Sequence, residues 1–187
     1  MNNCTVPTWP DPDMAWPYST LQDLHLSLAA LPWCEQGNWP AQVADWLLDT
    51  GSLTARLRAL PGGLAVHCLQ EASLANQGVR QVLLCKEGRA WVWGVTCFEP
   101  AFLSRWPALQ QQGTRPLGDW LFAAGLTRTP LQGVDLARQP AWQPFCQALA
   151  WDGPLWARRC RWQQGTAGLM LYEIFLPAAP LYTELVG

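Results

Sequence analysis

The sequence predicts a single α+β domain whose β-sheet is antiparallel. Two pairs of apolar segments are each joined by a short glycine-containing turn, which is the pattern of a β-hairpin. Leucine-rich segments with helical spacing lie before and between these hairpins, and antiparallel neighbours need no crossover helix. The chain has 187 residues, of which 50% are hydrophobic, and this suits one domain with a substantial core.

The first third of the chain predicts a proline-rich arm followed by three helices. Residues 1–19 hold four prolines, so we expect an N-terminal arm outside a domain that spans residues 20–187. A first helix is predicted by leucines at positions 21, 24, 28 and 31. Asn38 and Pro40 are typical of a helix start, with Asn38 as the N-cap. Ser52 is a second N-cap, for a helix that ends before Pro61-Gly62-Gly63.

The sheet is predicted from residue 64 onward. Its strands are expected over residues 64–70, 79–86 and 90–98, within 126–136, and over 155–163 and 168–176. The turns that close the two hairpins are Glu87-Gly88 and Gln164-Gly165-Thr166-Ala167. Short helices are predicted at residues 101–112, which Pro107 interrupts, and at residues 116–124. The proline-rich residues 138–154 are expected to be an excursion from the sheet.

Charge and cysteine content argue against several classes of function. The chain carries 12 basic and 14 acidic residues, and a net charge of −2 gives little attraction to nucleic acid or to an anionic membrane. Residues 39–60 resemble a helix–turn–helix only in geometry, because they are poor in basic residues. Seven cysteines without a Cys-x-x-Cys pair predict reduced thiols rather than disulfides or a zinc site. No signal peptide or membrane-spanning segment fits, so we expect a cytoplasmic protein. We also expect it to be a monomer.

Glu173 is a charge in an unexpected place. In the last predicted strand it shares a face with Leu169, Leu171 and Phe175, and the opposite face is apolar too. A strand that is apolar on both faces is expected to be central and covered, so its one carboxylate is expected to be buried. Two interpretations remain open, namely a structural carboxylate that is ion-paired or reaches water, and a functional one.

Arg80 is a second misplaced charge, since it shares a strand face with Val82 and Leu84. Taken alone, it is more simply interpreted as a side chain that reaches solvent from the end of its strand. If Arg80 and Glu173 lie on the same face of one sheet, however, they line a mostly hydrophobic pocket. Such a pocket suits a small ring acid, with Arg80 for its carboxylate and Glu173 for a hydroxyl.

The densest basic cluster lies in the first strand of the second hairpin. Arg159 and Arg161 share one strand face and Arg158 lies on the other. The cluster predicts either a solvated strand face or a lip that attracts an anionic substrate. His25 and His67, like the cysteines, lack the sequence context of a catalytic residue, and we interpret them as structural.

Two motifs in the second half of the chain are more specific. They are Pro116-Leu117-Gly118-Asp119-Trp120-Leu121-Phe122 and the segment from Glu173 to Tyr182. Together they resemble the chorismate pyruvate-lyase family. Further similar segments make the resemblance run in order over residues 45–182, and these are residues 45–48, 52–54, 79–84, 114–122, 126–128 and 155–161.

The resemblance implies a six-stranded antiparallel sheet with helices on one side, and a buried site closed by two helical flaps at about residues 45–60 and 109–122. It implies the conversion of chorismate to 4-hydroxybenzoate and pyruvate, the first step of ubiquinone synthesis, without a metal or cofactor. Carried over by motif, Arg80 would hold the ring carboxylate and Glu173 would meet the hydroxyl, which makes them the expected catalytic residues. Leu53 and Leu117 would line the pocket, with their backbone N–H groups near the carboxylate. A closed site of this kind is expected to release its product slowly.

Two features depart from the family pattern. Family members often carry an arginine after the glycine of the second strand of the first hairpin, whereas here Gly94 is followed by Val95. This difference bears on ligand entry or on a second contact to an anion. Residues 138–154 are also longer than the usual connection. The alternative function is a non-catalytic small-molecule-binding or sensor domain of the same fold, and a catalytically inactive relative that sequesters 4-hydroxybenzoate is a third option. Against a sensor, the chain lacks a basic DNA-binding segment and retains Arg80 and Glu173.

Overall fold

A single antiparallel sheet organises the protein. The computed structural model describes residues 20–74 and 77–183, so the predicted arm at residues 1–19 lies outside the described residues. The strands are β1 (Leu64–Leu74), β2 (Gln77–Lys86), β3 (Arg89–Phe98), β4 (Thr127–Arg128), β5 (Gln132–Asp135), β6 (Trp156–Gln164) and β7 (Ala167–Phe175). Their order is β1-β2-β3-β7-β6-β4, and β5 also pairs with β6. The predicted α+β class with an antiparallel sheet is confirmed.

The helices are short and lie near their predicted positions. They are α1 (Leu21–Ala29), α2 (Ala41–Leu47), α3 (Leu53–Ala59), α4 (Pro100–Arg105), α5 (Leu117–Ala123) and α6 (Gln143–Ala148). The Ser52 hydroxyl accepts a hydrogen bond from the Ala55 N–H, which confirms Ser52 as the N-cap of α3. Pro40, rather than Asn38, occupies the N-cap position of α2.

Both predicted hairpins are present, and their turns place the central strands. Glu87 and Gly88 have φ values of 50° and 75°, which is the left-handed backbone that a two-residue hairpin turn requires. Gly165 and Thr166 form the second turn, so that turn is two residues shorter than the predicted segment Gln164–Ala167. The second strands of the two hairpins, β3 and β7, pair with each other at the centre of the sheet.

The sheet has seven strands, so the expected number of six is wrong. The single strand predicted within residues 126–136 is divided into β4 and β5. Pro130 lies between them and has no N–H to donate to a neighbouring strand. Both short strands nevertheless pair with β6, with Arg128 opposite Trp162 and Gln132 opposite Arg159.

Helices cover both faces of the sheet, so the expectation of helices on one side is also wrong. On one face, α1 and the 138–154 excursion pack Leu24, Leu28, Trp142 and Phe145 against Leu83, Trp93 and Tyr172. On the other face, α2 and α3 pack against Val82, Val92 and Phe175. Because the central strand β7 is apolar on both faces, each face needs a layer of helices to exclude water. Among the described helices, none has the length and apolar character needed to span a bilayer.

Candidate active site

A cavity lies between the sheet and the N-terminal ends of α3 and α5. Its empty volume is about 660 Å³, including the part that is open to solvent. Residues 51–54 and 116–118 line it on the helix side, and β2, β3, β6 and β7 line it on the sheet side. Most lining side chains are apolar, and the charged ones are Arg80, Arg128, Arg158 and Glu173.

The four residues predicted for the site all line this one cavity. Arg80 on β2 and Glu173 on β7 lie on the same face of the sheet. Leu53 and Leu117 line the cavity from the opposite side, where α3 and α5 begin. In the strand pairing, Arg80 is opposite Thr96 and Glu173 is opposite Gly94. Their Cα atoms are therefore separated by two strand spacings across the sheet and by two residues along it, which corresponds to a distance of about 12 Å. The two charged groups can approach an aromatic ring from opposite ends.

Arg80 is held in a fixed orientation by three hydrogen bonds. Its Nε donates to Glu71 Oε1 at 2.9 Å, and its Nη2 donates to the carbonyls of Gly113 at 2.8 Å and Arg115 at 2.9 Å. Arg80 is only 2% exposed, so it does not reach solvent as the simpler sequence interpretation proposed. The Nη1 group has no hydrogen-bond acceptor within the described part of the chain and remains able to donate to a ligand.

A β-bulge places the carboxylate that orients Arg80. The register of β1 against β2 shifts between Cys68 and Gln70, so that Glu71 rather than Gln70 stands opposite Arg80. Glu71 Oε1 also accepts a hydrogen bond from the Gly113 N–H at 3.0 Å. Arg80 and Glu71 together fix the segment that leads into α5, and thus the helix that carries Leu117.

Glu173 is an ion-paired carboxylate at the wall of the cavity. Arg158 donates from Nε to Glu173 Oε2 at 2.6 Å, so the buried ion pair considered from the sequence is present. The Nη1 group of Arg158 donates to the carbonyls of Trp46 at 2.8 Å and Asp49 at 3.2 Å. The second oxygen of Glu173, Oε1, accepts no hydrogen bond from the described residues. A paired carboxylate with one free oxygen in a cavity can still accept a hydrogen bond from a ligand hydroxyl.

Arg158 is the site residue that the sequence interpretation missed. It is 2% exposed, and therefore forms neither a solvated strand face nor a lip at the surface. The sequence pattern indicates this burial, because Arg158 shares a strand face with three buried apolar residues of β6, which are Trp156, Cys160 and Trp162. The two neighbouring arginines, Arg159 and Arg161, lie on the opposite face and hid this pattern.

The two helix starts bring backbone donors to the cavity. Leu53 and Leu117 are the first residues of α3 and α5, and an N–H at that position has no acceptor within its own helix. Gly118 allows the two helix starts to approach, since a Cβ there would lie 3.1 Å from both the Ser52 Oγ and the Thr54 Oγ1. On the outer surface, Arg58 of α3 donates twice to the Asp119 carboxylate of α5, at 2.9 and 2.8 Å.

Two further lining positions bear on the chemistry. Burial raises the pKa of the Cys160 thiol to about 12, so this thiol is neutral at pH 7 and is a poor nucleophile. Gly94 lines the cavity directly beside Glu173, whereas Val95 is buried on the opposite face of the sheet. The valine that departs from the family pattern therefore makes no part of the cavity wall.

Comparison with known proteins gives a consistent family. The family model described as chorismate lyase matches residues 70–186. The chain is 37% identical over 153 residues to the "Probable chorismate pyruvate-lyase" of Shewanella amazonensis, covering 75% of this chain and 82% of that protein. It is 31% identical to the chorismate pyruvate-lyases of Yersinia enterocolitica, over 82% of this chain and 93% of that protein, and of Escherichia coli K12, over 83% and 95%.

Proposed function

The chain belongs to the chorismate lyase family, and on that premise we propose that it is a chorismate pyruvate-lyase which binds its ring substrate in the cavity between Arg80 and Glu173. The reaction converts chorismate into 4-hydroxybenzoate and pyruvate, which is the first step of ubiquinone synthesis. The observation that carries the proposal is that these two charged residues, with Cα atoms about 12 Å apart, line one mostly apolar cavity.

The ring carboxylate binds at the Arg80 end. Arg80 offers its free Nη1 group there, and Leu53 and Leu117, whose N–H groups have no acceptor in their own helices, line the same cavity. A buried guanidinium that is fixed by three other hydrogen bonds loses little conformational entropy when it binds a carboxylate. The arrangement therefore favours an anion at this end and determines which way round the ring enters.

The ring hydroxyl meets Glu173 at the other end. The Arg158 guanidinium beside it holds Glu173 Oε2 and leaves Oε1 to accept the hydroxyl proton in a hydrogen bond. The apolar side chains between the two ends, such as Val82 and Leu171, pack against the ring faces and exclude water. Excluding water matters because chorismate is consumed by an elimination in which water takes no part.

The chemistry requires positioning more than it requires a reactive group. The bond between ring carbon 3 and the ether oxygen breaks, and the hydrogen on carbon 4 is transferred to the methylene carbon of the departing enolpyruvate. The products are then aromatic 4-hydroxybenzoate and pyruvate, so atoms balance without a co-reactant. Because aromatisation makes the step strongly favourable, the protein contributes mainly by holding the reactive conformer.

The two helical segments act as flaps over the site. Residues 45–60 and 109–122 carry Leu53 and Leu117, and the exposed Arg58–Asp119 bridge joins the two segments on the outside of the cavity. Opening must break this bridge and uncover the apolar walls, so product release is slow and 4-hydroxybenzoate acts as an inhibitor.

Incubation of purified protein with chorismate tests the proposed activity. We expect equal molar amounts of 4-hydroxybenzoate and pyruvate, measured by chromatography, with no metal or cofactor added. The Glu173→Gln variant serves as the matched protein that keeps the fold but lacks the carboxylate. Tight binding of 4-hydroxybenzoate by folded wild-type protein without any turnover would contradict the proposal and would indicate a binding or sensor domain instead.

A further inference from the structure

Arg128 is the charged lining residue that the proposed ring site does not use. It starts from β4 at the edge of the sheet, and no carboxylate or carbonyl accepts a hydrogen bond from it in residues 20–74 and 77–183. Its guanidinium carbon lies 5.3 Å from the centre of the Trp162 ring and 5.7 Å from that of Phe122. By contrast, Arg80 is paired with Glu71 and Arg158 with Glu173. Arg128 is thus a cation that lines the cavity without a charge partner among the described residues.

Arg128 and Arg158 surround one patch of the cavity floor. Along β6, the side chains of Arg158, Cys160 and Trp162 face the cavity in turn, and Arg128 is opposite Trp162. The positive charges of both arginines act on the Cys160 thiol and oppose the rise in its pKa, which burial and then Glu173 cause. Both guanidinium groups are therefore close to the Cys160 side chain. The Nη2 group of Arg158 has no acceptor in the described structure and is still available to a ligand.

This patch lies beside Glu173 on the side that is away from Arg80. Across the sheet the order is Arg80 on β2, Glu173 on β7, and then Arg158 and Cys160 on β6. A ring held between Arg80 and Glu173 has its carboxylate towards β2. A substituent on the ring carbon next to the hydroxyl-bearing carbon then extends towards β6 and reaches the patch.

We propose that Arg128 and the free Nη2 group of Arg158 form a second carboxylate subsite. This assignment rests on the proposed function and extends it, because it places the enolpyruvyl carboxylate of chorismate in this subsite. The ligand class is an aromatic or cyclohexadienyl acid that carries a second carboxylate on a short ether arm next to the ring hydroxyl. Two cations that share one carboxylate give strong charge-assisted hydrogen bonds in a cavity from which water is excluded.

The subsite distinguishes substrate from product. Chorismate has two carboxylates and uses both anion sites, whereas 4-hydroxybenzoate has one and uses only the Arg80 end. When the ether bond breaks, the carboxylate at Arg128 belongs to pyruvate, which is then held at the side of the cavity where Phe122 is 46% exposed. The geometry therefore leads pyruvate out past Arg128 and Phe122.

Two stable aromatic acids test the subsite without turnover. The first is 3-(carboxymethoxy)-4-hydroxybenzoate, which reproduces both carboxylates and the hydroxyl of chorismate, and the second is 4-hydroxybenzoate. Their affinities are measured by titration calorimetry on wild-type protein, on Arg128→Gln and on the control Arg138→Gln. Arg138 pairs with Asp135 outside this cavity and its side chain is 82% exposed. Circular dichroism establishes that each variant is folded.

We expect Arg128→Gln to weaken the binding of the dicarboxylate by about 10- to 100-fold. Its effect on 4-hydroxybenzoate should stay within about twofold, and Arg138→Gln should change neither affinity. Equal weakening of both acids would overturn the proposal, because Arg128 would then act only by holding the flap. No effect on the dicarboxylate would overturn it as well.

Turnover separates this test from that of the proposed function. If Arg128→Gln weakens the binding of the dicarboxylate alone but wild-type protein leaves chorismate unchanged, the lyase activity is wrong and the subsite stands. If wild-type protein converts chorismate while Arg128→Gln keeps wild-type values of KM and of dicarboxylate affinity, the activity stands and the subsite is wrong.

Discussion

Replacement of Glu173 by alanine tests the double role of this carboxylate in stability and in turnover. The variant leaves Arg158 without its carboxylate, although the Arg158 side chain is only 3% exposed. Removal of one partner from a buried ion pair costs about 3–5 kcal/mol of the free energy of unfolding. Arg158 keeps the carbonyls of Trp46 and Asp49 as acceptors, so we expect the lower end, about 3 kcal/mol. For a domain of this length, the midpoint of thermal unfolding falls by about 6–12 °C.

The Glu173→Gln variant separates the two roles. Its amide oxygen still accepts the hydrogen bond from Arg158 Nε, so the expected loss is about 1 kcal/mol, or about 2–4 °C. Both variants lose turnover by about 100-fold or more, because neither has a carboxylate to hold the ring hydroxyl and position the reactive conformer. Thermal unfolding is followed by circular dichroism, and initial rates are measured well below each unfolding midpoint.

A surface ion pair provides the control. Glu99 pairs with Arg161 outside the cavity, with side chains that are 42% and 31% exposed. Glu99→Gln should change the free energy of unfolding by about 1 kcal/mol or less and leave turnover unchanged. The reasoning is refuted if Glu173→Gln turns over chorismate at the wild-type rate. An unfolding midpoint for Glu173→Ala equal to that of wild type would refute the assigned contribution of the ion pair.

Three other perturbations have defined outcomes. Arg80→Met should lose about 2–5 kcal/mol of 4-hydroxybenzoate affinity by calorimetry, and an unchanged affinity would remove Arg80 from the carboxylate site. Arg58→Ala breaks the exposed bridge to Asp119, so it should change the free energy of unfolding by less than about 1 kcal/mol yet speed 4-hydroxybenzoate release in stopped-flow measurements. An unchanged release rate would contradict a closing role for this bridge. Burial lowers the pKa of His25 from 6.5, so the unfolded chain takes up this proton first and the stabilisation from neutral His25 is present above pH 6.5 and lost as pH falls below it. His25→Phe should therefore flatten the fall of the unfolding midpoint between about pH 7 and pH 5, and an unaltered slope would contradict this assignment.

The sequence alone located the two ends of the candidate site, and the reason is energetic. Arg80 and Glu173 each interrupt an apolar strand face. Burying a charged group carries a large desolvation free energy, so such a residue is expected to be paired or to bind a ligand. The same criterion applied to β6 identifies Arg158, whose neighbours on its face are Trp156 and Cys160. The adjacent Arg159 and Arg161 on the opposite face obscure this pattern, because they give the segment the composition of a solvated strand.

Other features depend on contacts that no local pattern encodes. Glu71 stands opposite Arg80 only because a bulge in β1 shifts the register by one residue. The sequence near Leu69 has no glycine or other feature that predicts this bulge. The seventh strand arises because Pro130, which is evident in the sequence, divides one predicted strand into β4 and β5. That both β4 and β5 pair with β6 depends on tertiary contacts. The helices on the second face were implied by the apolar character of both faces of β7.

A crystal structure with bound 4-hydroxybenzoate tests the central claim most directly. That claim is that the cavity orients a ring acid between Arg80 and Glu173. We predict the carboxylate within hydrogen-bonding distance of Arg80 Nη1 and of the Leu53 and Leu117 N–H groups, with the hydroxyl at Glu173 Oε1. A ring bound in the reverse direction, or outside the cavity in a protein that turns over chorismate, would contradict the account.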